Sequence, residues 1–170
     1  DTKPGMYKNR GSLIRTLVNY LDHYNHPNSD PAKTFVLENG EAAVELSFRF
    51  ELDWGPAASR QLAPDHPSDD AHLGASQPYL LCGHLDRVVE FNGQYLVLDH
   101  KTATSTPSEY YFKQYAPNNQ MTLYTLAGQV VLDTPIKGVI IDAAQIKLIE
   151  PNVFVRGFTY RTHDQLEEWT

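Results

Sequence analysis

Two charged side chains, Asp99 and Lys101, follow an apolar run at residues 95–98 that is typical of a buried strand. Residues two apart on a strand point to the same face, so this carboxylate and this ammonium lie side by side. They can be a neutral pair where a strand meets water. They can also belong to a divalent-metal site in which the carboxylate binds Mg²⁺ or Mn²⁺ and the lysine lies beside it.

A predicted hairpin brings a second carboxylate to the same place. The Asn-Gly dipeptide at residues 92–93 lies between two apolar runs and predicts a two-residue turn. When Phe91 and Gln94 close that turn, counting outward places Asp86 opposite Asp99, with Cα atoms roughly 4.5 Å apart. Two carboxylates this close repel each other unless they share a proton or hold a cation.

The remaining periodicities predict an α/β (α+β) fold with a mixed central sheet and flanking helices. Beside the hairpin, the pattern predicts two helices and three strands: a helix in 11–27, a strand in 44–54, a helix in 116–132 with Pro117 in its first turn, and strands in 136–148 and 154–162. Residues 53–77 are rich in Pro, Ala, Ser and Asp, and we expect them to form a surface loop inserted in a single domain, residues 1–170.

Composition excludes several classes of protein. The single cysteine, Cys82, rules out an internal disulfide and an all-cysteine metal site within the chain. The net charge of -7 argues against a general binder of polyanions, and the sequence contains no membrane-length apolar run or signal peptide. The chain begins without methionine and ends just after a capping-box pattern, Thr162 with Gln165, so we expect a fragment of a longer protein.

The hairpin and the helix after it resemble the PD-(D/E)xK nuclease superfamily, in its RecB-like and phage-exonuclease branch. That family carries G-x-x-D-R on one strand, D-x-K-T on the next, and Q-x-x-x-Y on a following helix. The matching positions in this sequence are Gly83, Asp86, Arg87, Asp99, Lys101, Thr102, Gln120 and Tyr124. The resemblance covers residues 44–147 and implies a restriction-endonuclease-like core.

The resemblance implies a role for each residue of the hairpin. Asp86 and Asp99 would bind Mg²⁺ or Mn²⁺, and the backbone carbonyl of His100 would complete the ligand set. Lys101 would orient or deprotonate the attacking water, and with the metal it would stabilise charge on the phosphoryl oxygens.

The helix and an upstream acid would complete the site. Gln120 and Tyr124 are one helical turn apart and can both face the carboxylates, although a polar flank with a core tyrosine is an alternative. The family places an acidic residue or a histidine upstream of the hairpin. Glu45 is the tentative metal ligand, with Glu51 and His23 as other candidates, and Glu45 is equally consistent with a solvent-facing glutamate.

The resemblance implies a metal-dependent deoxyribonuclease, with an exonuclease as the favoured form. DNA would be the substrate in recombination, repair or phage DNA processing, with further domains or protein partners in a recombination complex. The setting would be the cytoplasm, with a bacterial or phage-encoded protein. One alternative is a non-catalytic nucleic-acid-binding or regulatory module that retains the nuclease fold, and another is an unrelated α/β protein with accidental hairpin charges.

Overall fold

The computed structural model of the chain describes four segments, which are residues 9–25, 30–52, 79–149 and 151–169. The chain divides into two compact units, one formed by Asp1–Leu46 with Leu85–Thr170 and the other by Ser47–His84. The predicted surface loop at residues 53–77 lies outside the described residues. The single domain therefore stays a prediction.

Helices and strands follow one another in a mixed α/β order, as the sequence predicts. The elements are α1 (Arg10–Tyr24), β1 (Lys33–Thr34), β2 (Val44–Leu52), β3 (Tyr79–Phe91), β4 (Gln94–Ala103), α2 (Glu109–Lys113), α3 (Asn119–Leu132), β5 (Ile136–Gln145), β6 (Val153–Tyr160) and α4 (His163–Trp169). The short elements β1 and α2 are absent from the sequence-based prediction. Among the described residues, no helix combines the length and apolarity that a membrane crossing requires.

The sheet is mixed, with strand order β1-β3-β4-β5-β6 and with β2 also paired to β3. Strands β3 and β4 are antiparallel, β4 and β5 are parallel, and β5 and β6 are antiparallel. The parallel pair needs a crossover connection, which α2 and α3 provide. Strand β4 lies in the middle of the sheet, and its central side chains, Leu96, Val97 and Leu98, are fully buried.

The hairpin between β3 and β4 has the predicted turn and register. Asn92 and Gly93 have φ angles of 51° and 74°, which is the left-handed conformation that a two-residue turn of this kind requires. Backbone pairs run from Phe91 with Gln94 outward to residues 87 and 98, as counted from the sequence.

The ladder ends one step before the two aspartates. Its last pair is Arg87 with Leu98, so Asp86 and Asp99 are not paired through their backbones. The Asp86 carboxylate instead accepts a hydrogen bond from the backbone N–H of His100 at 2.9 Å. The Asp86 side chain thus takes the position of the next backbone hydrogen bond, and the direct opposition of the two aspartates stays a prediction.

Helix α3 begins after the proline that was predicted to lie in its first turn. Asn118 is extended (φ −156°), and its side-chain oxygen accepts the N–H of Met121 at 3.3 Å, which makes it the N-cap. Pro117 consequently precedes the cap, and the helix starts at Asn119. The helix therefore starts three residues later than predicted, and Gln120 and Tyr124 both remain within it.

Helix α1 packs its polar side inward. Ser12 and Thr16 are buried, and Thr16 donates to the carbonyl of Ser12 at 2.8 Å. The apolar residues whose spacing predicts the helix point outward and are about half exposed, namely Leu13, Ile14, Leu17, Val18 and Leu21. Apolar periodicity therefore predicts the helix correctly without indicating which side meets the sheet.

The unit Ser47–His84 explains the glycine of the G-x-x-D-R pattern. The Phe48 ring is buried and stacks on Phe50 with ring centroids 5.2 Å apart. A Cβ atom added at Gly83 would clash with the Phe48 ring. The position needs glycine because an aromatic ring lies against its backbone.

A buried ionic network joins β5 and β6 to the segment before β1. Arg156 forms ion pairs with Asp30 and Asp142, and its guanidinium carbon lies 4.1 Å from the ring centroid of Tyr24. The Tyr20 hydroxyl donates to Asp142 at 2.7 Å. Burial disfavours the charge on Arg156, but the hydrogen bond to Asp30 and the charge of Asp142 raise its pKa above the ordinary arginine value.

Replacing the arginine of this network should destabilise the fold. Arg156→Leu leaves Asp30 and Asp142 buried without a counter-charge, which should lower the free energy of unfolding by about 3 kcal/mol. Urea denaturation at neutral pH measures the change. The matched control is Arg10→Leu at the exposed start of α1, which should change stability by less than about 0.5 kcal/mol. Equal effects of the two substitutions would show that the network contributes nothing to stability.

Candidate active site

Strand β4 places Asp99 and Lys101 on the same face of the sheet. Asp99 is only 2% exposed, and the Lys101 ammonium donates to its Oδ1 at 3.0 Å. Burial raises the pKa of Asp99, and the adjacent Lys101 only partly offsets that effect. The Lys101 side chain is about a quarter exposed (26%), so its ammonium lies between the buried Asp99 carboxylate and the solvent.

Both oxygens of Asp99 lie against the Lys101 ammonium. Oδ1 accepts its hydrogen bond at 3.0 Å, and Oδ2 lies 2.7 Å from the same nitrogen in an ion pair and makes no hydrogen bond. Asp99 is therefore a buried carboxylate whose counter-charge is one partly exposed lysine, and a carboxylate in this position can also take a divalent cation.

Asp86 lies beside His100 at the end of the β3–β4 ladder. Its Oδ2 accepts the His100 backbone N–H and lies 3.5 Å from the Nδ1 atom of the His100 ring. The Asp86 side chain is about one-third exposed, so water or a substrate can reach it. The charge of Asp86 contributes to the raised pKa of Asp99, although burial contributes more.

The described residues contain no cluster of three or more His, Cys, Asp or Glu side chains placed to hold a metal ion. Mg²⁺ is commonly bound through one or two carboxylates, with water and substrate phosphates as its other ligands. Asp86 and Asp99, with the backbone carbonyl of His100, fit that kind of open site. The ligand set itself stays a prediction.

The three candidates for an upstream ligand lie in different surroundings. Glu45 is exposed and has a φ of 50°, which is unusual for a residue other than glycine. The His23 ring packs against Tyr24 and Phe154, with centroids 4.6 and 5.3 Å away. Glu51 is exposed and belongs to the unit Ser47–His84. Glu45 therefore stays a tentative ligand.

Helix α3 presents the two residues of the Q-x-x-x-Y pattern together. Gln120 Nε2 donates to the Tyr124 hydroxyl oxygen at 3.1 Å. Burial raises the pKa of Tyr124, and the charge of Asp99 raises it further, while the charge of Lys101 acts in the opposite direction. Tyr124 is therefore close enough to Asp99 and Lys101 for both charges to affect its pKa. A catalytic role for Gln120 and Tyr124 stays a prediction.

Tyr111 of α2 is an additional neighbour of the site. Its ring packs edge-to-face against Phe112, and its hydroxyl oxygen accepts a hydrogen bond from the Tyr115 hydroxyl at 3.4 Å. Burial raises the pKa of Tyr111, and the charges of Lys101 and Asp99 also act on it. The sequence shows Tyr111, Phe112 and Tyr115 shortly after the D-x-K-T pattern. That Tyr111 lies near Lys101 depends on how the chain crosses over from β4 to β5.

The mixed sheet thus carries two carboxylates and a lysine on its neighbouring strands β3 and β4. The sequence model of the PD-(D/E)XK nuclease superfamily matches residues 11–170. The chain therefore belongs to the PD-(D/E)XK nuclease superfamily, as the motifs predict, and the match does not specify the RecB-like branch. None of the curated proteins compared with the chain matches it. Superfamily members are generally nucleases that hydrolyse DNA with divalent metals such as Mg²⁺.

Removing the charge of Asp99 should stabilise the metal-free protein. A folded-state pKa above the ordinary value means that ionised Asp99 lowers stability at neutral pH, and that this penalty disappears as the pH falls through the raised pKa. Asp99→Asn in EDTA should therefore be more stable than wild type by about 1 kcal/mol at neutral pH, with a smaller difference in acid. Thermal denaturation across pH measures this.

Added Mn²⁺ should reverse the order, because a ligand that binds only the folded state stabilises it. Wild type should gain stability, and Asp99→Asn should gain much less. The matched control, Asp22→Asn on the exposed side of α1, should follow wild type in both conditions. A lower melting temperature for Asp99→Asn in EDTA, with an equal response to Mn²⁺, would contradict a metal-binding role for this buried carboxylate.

Proposed function

We propose that the chain is a deoxyribonuclease of the RecB-like, phage-exonuclease type that hydrolyses phosphodiester bonds with Mg²⁺ or Mn²⁺. The observation that carries the proposal is the buried Asp99 carboxylate, which has the partly exposed Lys101 ammonium against both of its oxygens. A role in recombination, repair or phage DNA processing in the cytoplasm, alone or with protein partners, follows from the motif resemblance.

The metal would be held by Asp86, Asp99 and the backbone carbonyl of His100. When bound, it supplies positive charge to the phosphoryl oxygens and lowers the pKa of a bound water. Lys101 is held against Asp99 by its hydrogen bond, so its ammonium stays at the site and can orient the attacking water or stabilise the developing charge.

Tyr124 is suited to donate to a phosphate oxygen. Its hydroxyl oxygen accepts from Gln120, which leaves the hydroxyl proton available for another acceptor. A phenol is protonated at neutral pH, and burial and the charge of Asp99 raise the pKa of Tyr124 further. Gln120 and Tyr124 would thus hold the scissile phosphate in line with Lys101.

A non-catalytic DNA-binding or regulatory module is the second candidate. It is favoured by the lack of a third acidic or histidine ligand among the described residues, and by the net charge of -7. Such a module would bind Mn²⁺ or DNA without turnover. Incubation of the purified chain with labelled DNA and Mg²⁺ or Mn²⁺ distinguishes the two functions.

The form of the DNA tests the exonuclease assignment. An exonuclease should degrade linear duplex DNA labelled at one end and leave covalently closed circular DNA intact. Release of the label from a 5′ or a 3′ end reports the polarity. Cleavage of the circle would identify an endonuclease instead of an exonuclease, and the proposal of a nuclease would still hold.

Lys101→Ala should abolish cleavage while leaving metal binding almost unchanged. The lysine acts on the water or the phosphoryl group, so its loss should lower the rate by at least about 100-fold. The matched control is Lys113→Ala, an exposed lysine of α2, which should cleave at the wild-type rate. Calorimetric titration with Mn²⁺ provides the binding measurement. Wild-type cleavage by Lys101→Ala would remove this residue from the mechanism.

Glu45→Gln should weaken Mn²⁺ binding if Glu45 supplies the third carboxylate, as we propose. The amide keeps the shape but loses the charge, so we expect a loss in affinity of about tenfold or more. Glu51→Gln is the matched control because Glu51 is also an exposed glutamate of β2, and it should bind Mn²⁺ like wild type. Unchanged affinity in both variants would exclude Glu45 as a ligand.

A further inference from the structure

The His100 side chain connects the candidate site to the buried network on the opposite face of the sheet. Its backbone N–H and its Nδ1 atom both lie against Oδ2 of Asp86, at 2.9 and 3.5 Å. Its Nε2 atom lies 3.3 Å from the Tyr20 hydroxyl, and the two rings meet edge-to-face. The imidazole therefore touches the proposed metal ligand on one side and a tyrosine of α1 on the other.

The Tyr20 hydroxyl has a fixed direction. It carries one proton, and the 2.7 Å hydrogen bond to Oδ2 of Asp142 uses that proton. Towards His100 the phenolic oxygen can therefore only accept, so it receives the Nε2–H of the imidazole. A single hydroxyl thus fixes the rotation of the His100 ring and places the proton of a neutral imidazole on Nε2. The bare Nδ1 atom then lies 3.5 Å from Oδ2 of Asp86 without a hydrogen bond, so the ring restricts the position of that carboxylate by contact and not by donating to it.

Asp142 is itself rigidly held. It is buried in β5, at the position that pairs with His100 of β4. Its Oδ2 also accepts from Arg156 Nε at 3.0 Å, and Arg156 is bound through two nitrogens to Asp30. The acceptor of the Tyr20 proton is consequently fixed by the sheet and by an ion pair, independently of the exposed end of the site.

We propose that Tyr20 is a positioning residue for the metal site, which acts through His100 on the Asp86 carboxylate. The inference rests on the proposed function, because it takes Asp86 to be a metal ligand. Outer contacts that orient a ligand commonly change metal affinity by about 10- to 100-fold when they are removed. The hydroxyl of Tyr20 would contribute in this way without touching the metal.

The packing of Tyr20 can be separated from its hydroxyl. The ring contacts Tyr24 and Phe154 as well as His100, with centroids 4.8 and 5.4 Å away for the first two. Tyr20→Phe keeps these ring contacts and removes only the oxygen that links Asp142 to His100. Tyr160→Phe is the matched control, because Tyr160 is a half-exposed tyrosine at the other end of the same face.

The test is Mn²⁺ affinity, measured by calorimetry on the full chain and followed by thermal denaturation. Tyr20→Phe should bind Mn²⁺ about tenfold more weakly than wild type, and Tyr160→Phe should bind like wild type. His100→Ala, which keeps the backbone carbonyl, provides the second background. If Tyr20 acts through His100, adding Tyr20→Phe to His100→Ala should cause no further loss of affinity.

Three outcomes overturn the inference. Unchanged affinity in Tyr20→Phe would show that the hydroxyl does not position Asp86, while the proposed metal site would survive. An equal further loss in the His100→Ala background would show that Tyr20 does not act through the imidazole. Failure of wild type to bind Mn²⁺, with or without DNA, would overturn both this inference and the proposed function.

Discussion

The alternation of side chains along β4 is the constraint on which the candidate site depends. β4 is hydrogen-bonded to β3 on one side and to β5 on the other, so each of its residues can point to only one of two faces. Asp99 and Lys101 lie on one face of the sheet, and their charges act on the pKa of Tyr124. The His100 side chain lies on the other face, where it contacts Tyr20. A shift of one residue would exchange the two faces, and a central strand with two bonded neighbours prevents that shift.

The two faces handle buried negative charge differently. On the α1 face, Asp142 receives donors from Tyr20 and Arg156, and Arg156 also neutralises Asp30. On the other face, the counter-charge of Asp99 is Lys101, whose side chain is about a quarter exposed. The first arrangement is a largely buried ion-pair network that holds secondary structure together. The second places a buried carboxylate beside a lysine that is open to solvent, where a cation from solution can approach.

The orientation of α1 follows from the polar groups that it meets. Its inward side presents hydroxyl groups, and Tyr20 reaches the buried Asp142 from there. A helix that turned its leucines to this part of the sheet would remove the Tyr20 donor from the buried Asp142. The exposed apolar stripe lies on the side of the helix opposite these polar contacts.

Features that depend on near neighbours in the chain could be predicted from the sequence. The Asn-Gly turn fixed the register of the hairpin, and the pair Thr162 with Gln165 forms the predicted capping box, with hydrogen bonds of 3.0 and 3.2 Å. The superfamily was also predictable, because the sequence carries motifs that resemble it. Two contacts required the folded structure, namely the hydrogen bond of Asp86 to the His100 backbone and the contact of the His100 side chain with Tyr20. These contacts join residues that are far apart in sequence, and they depend on the parallel pairing of β4 with β5 and on the packing of α1, which no local pattern specifies.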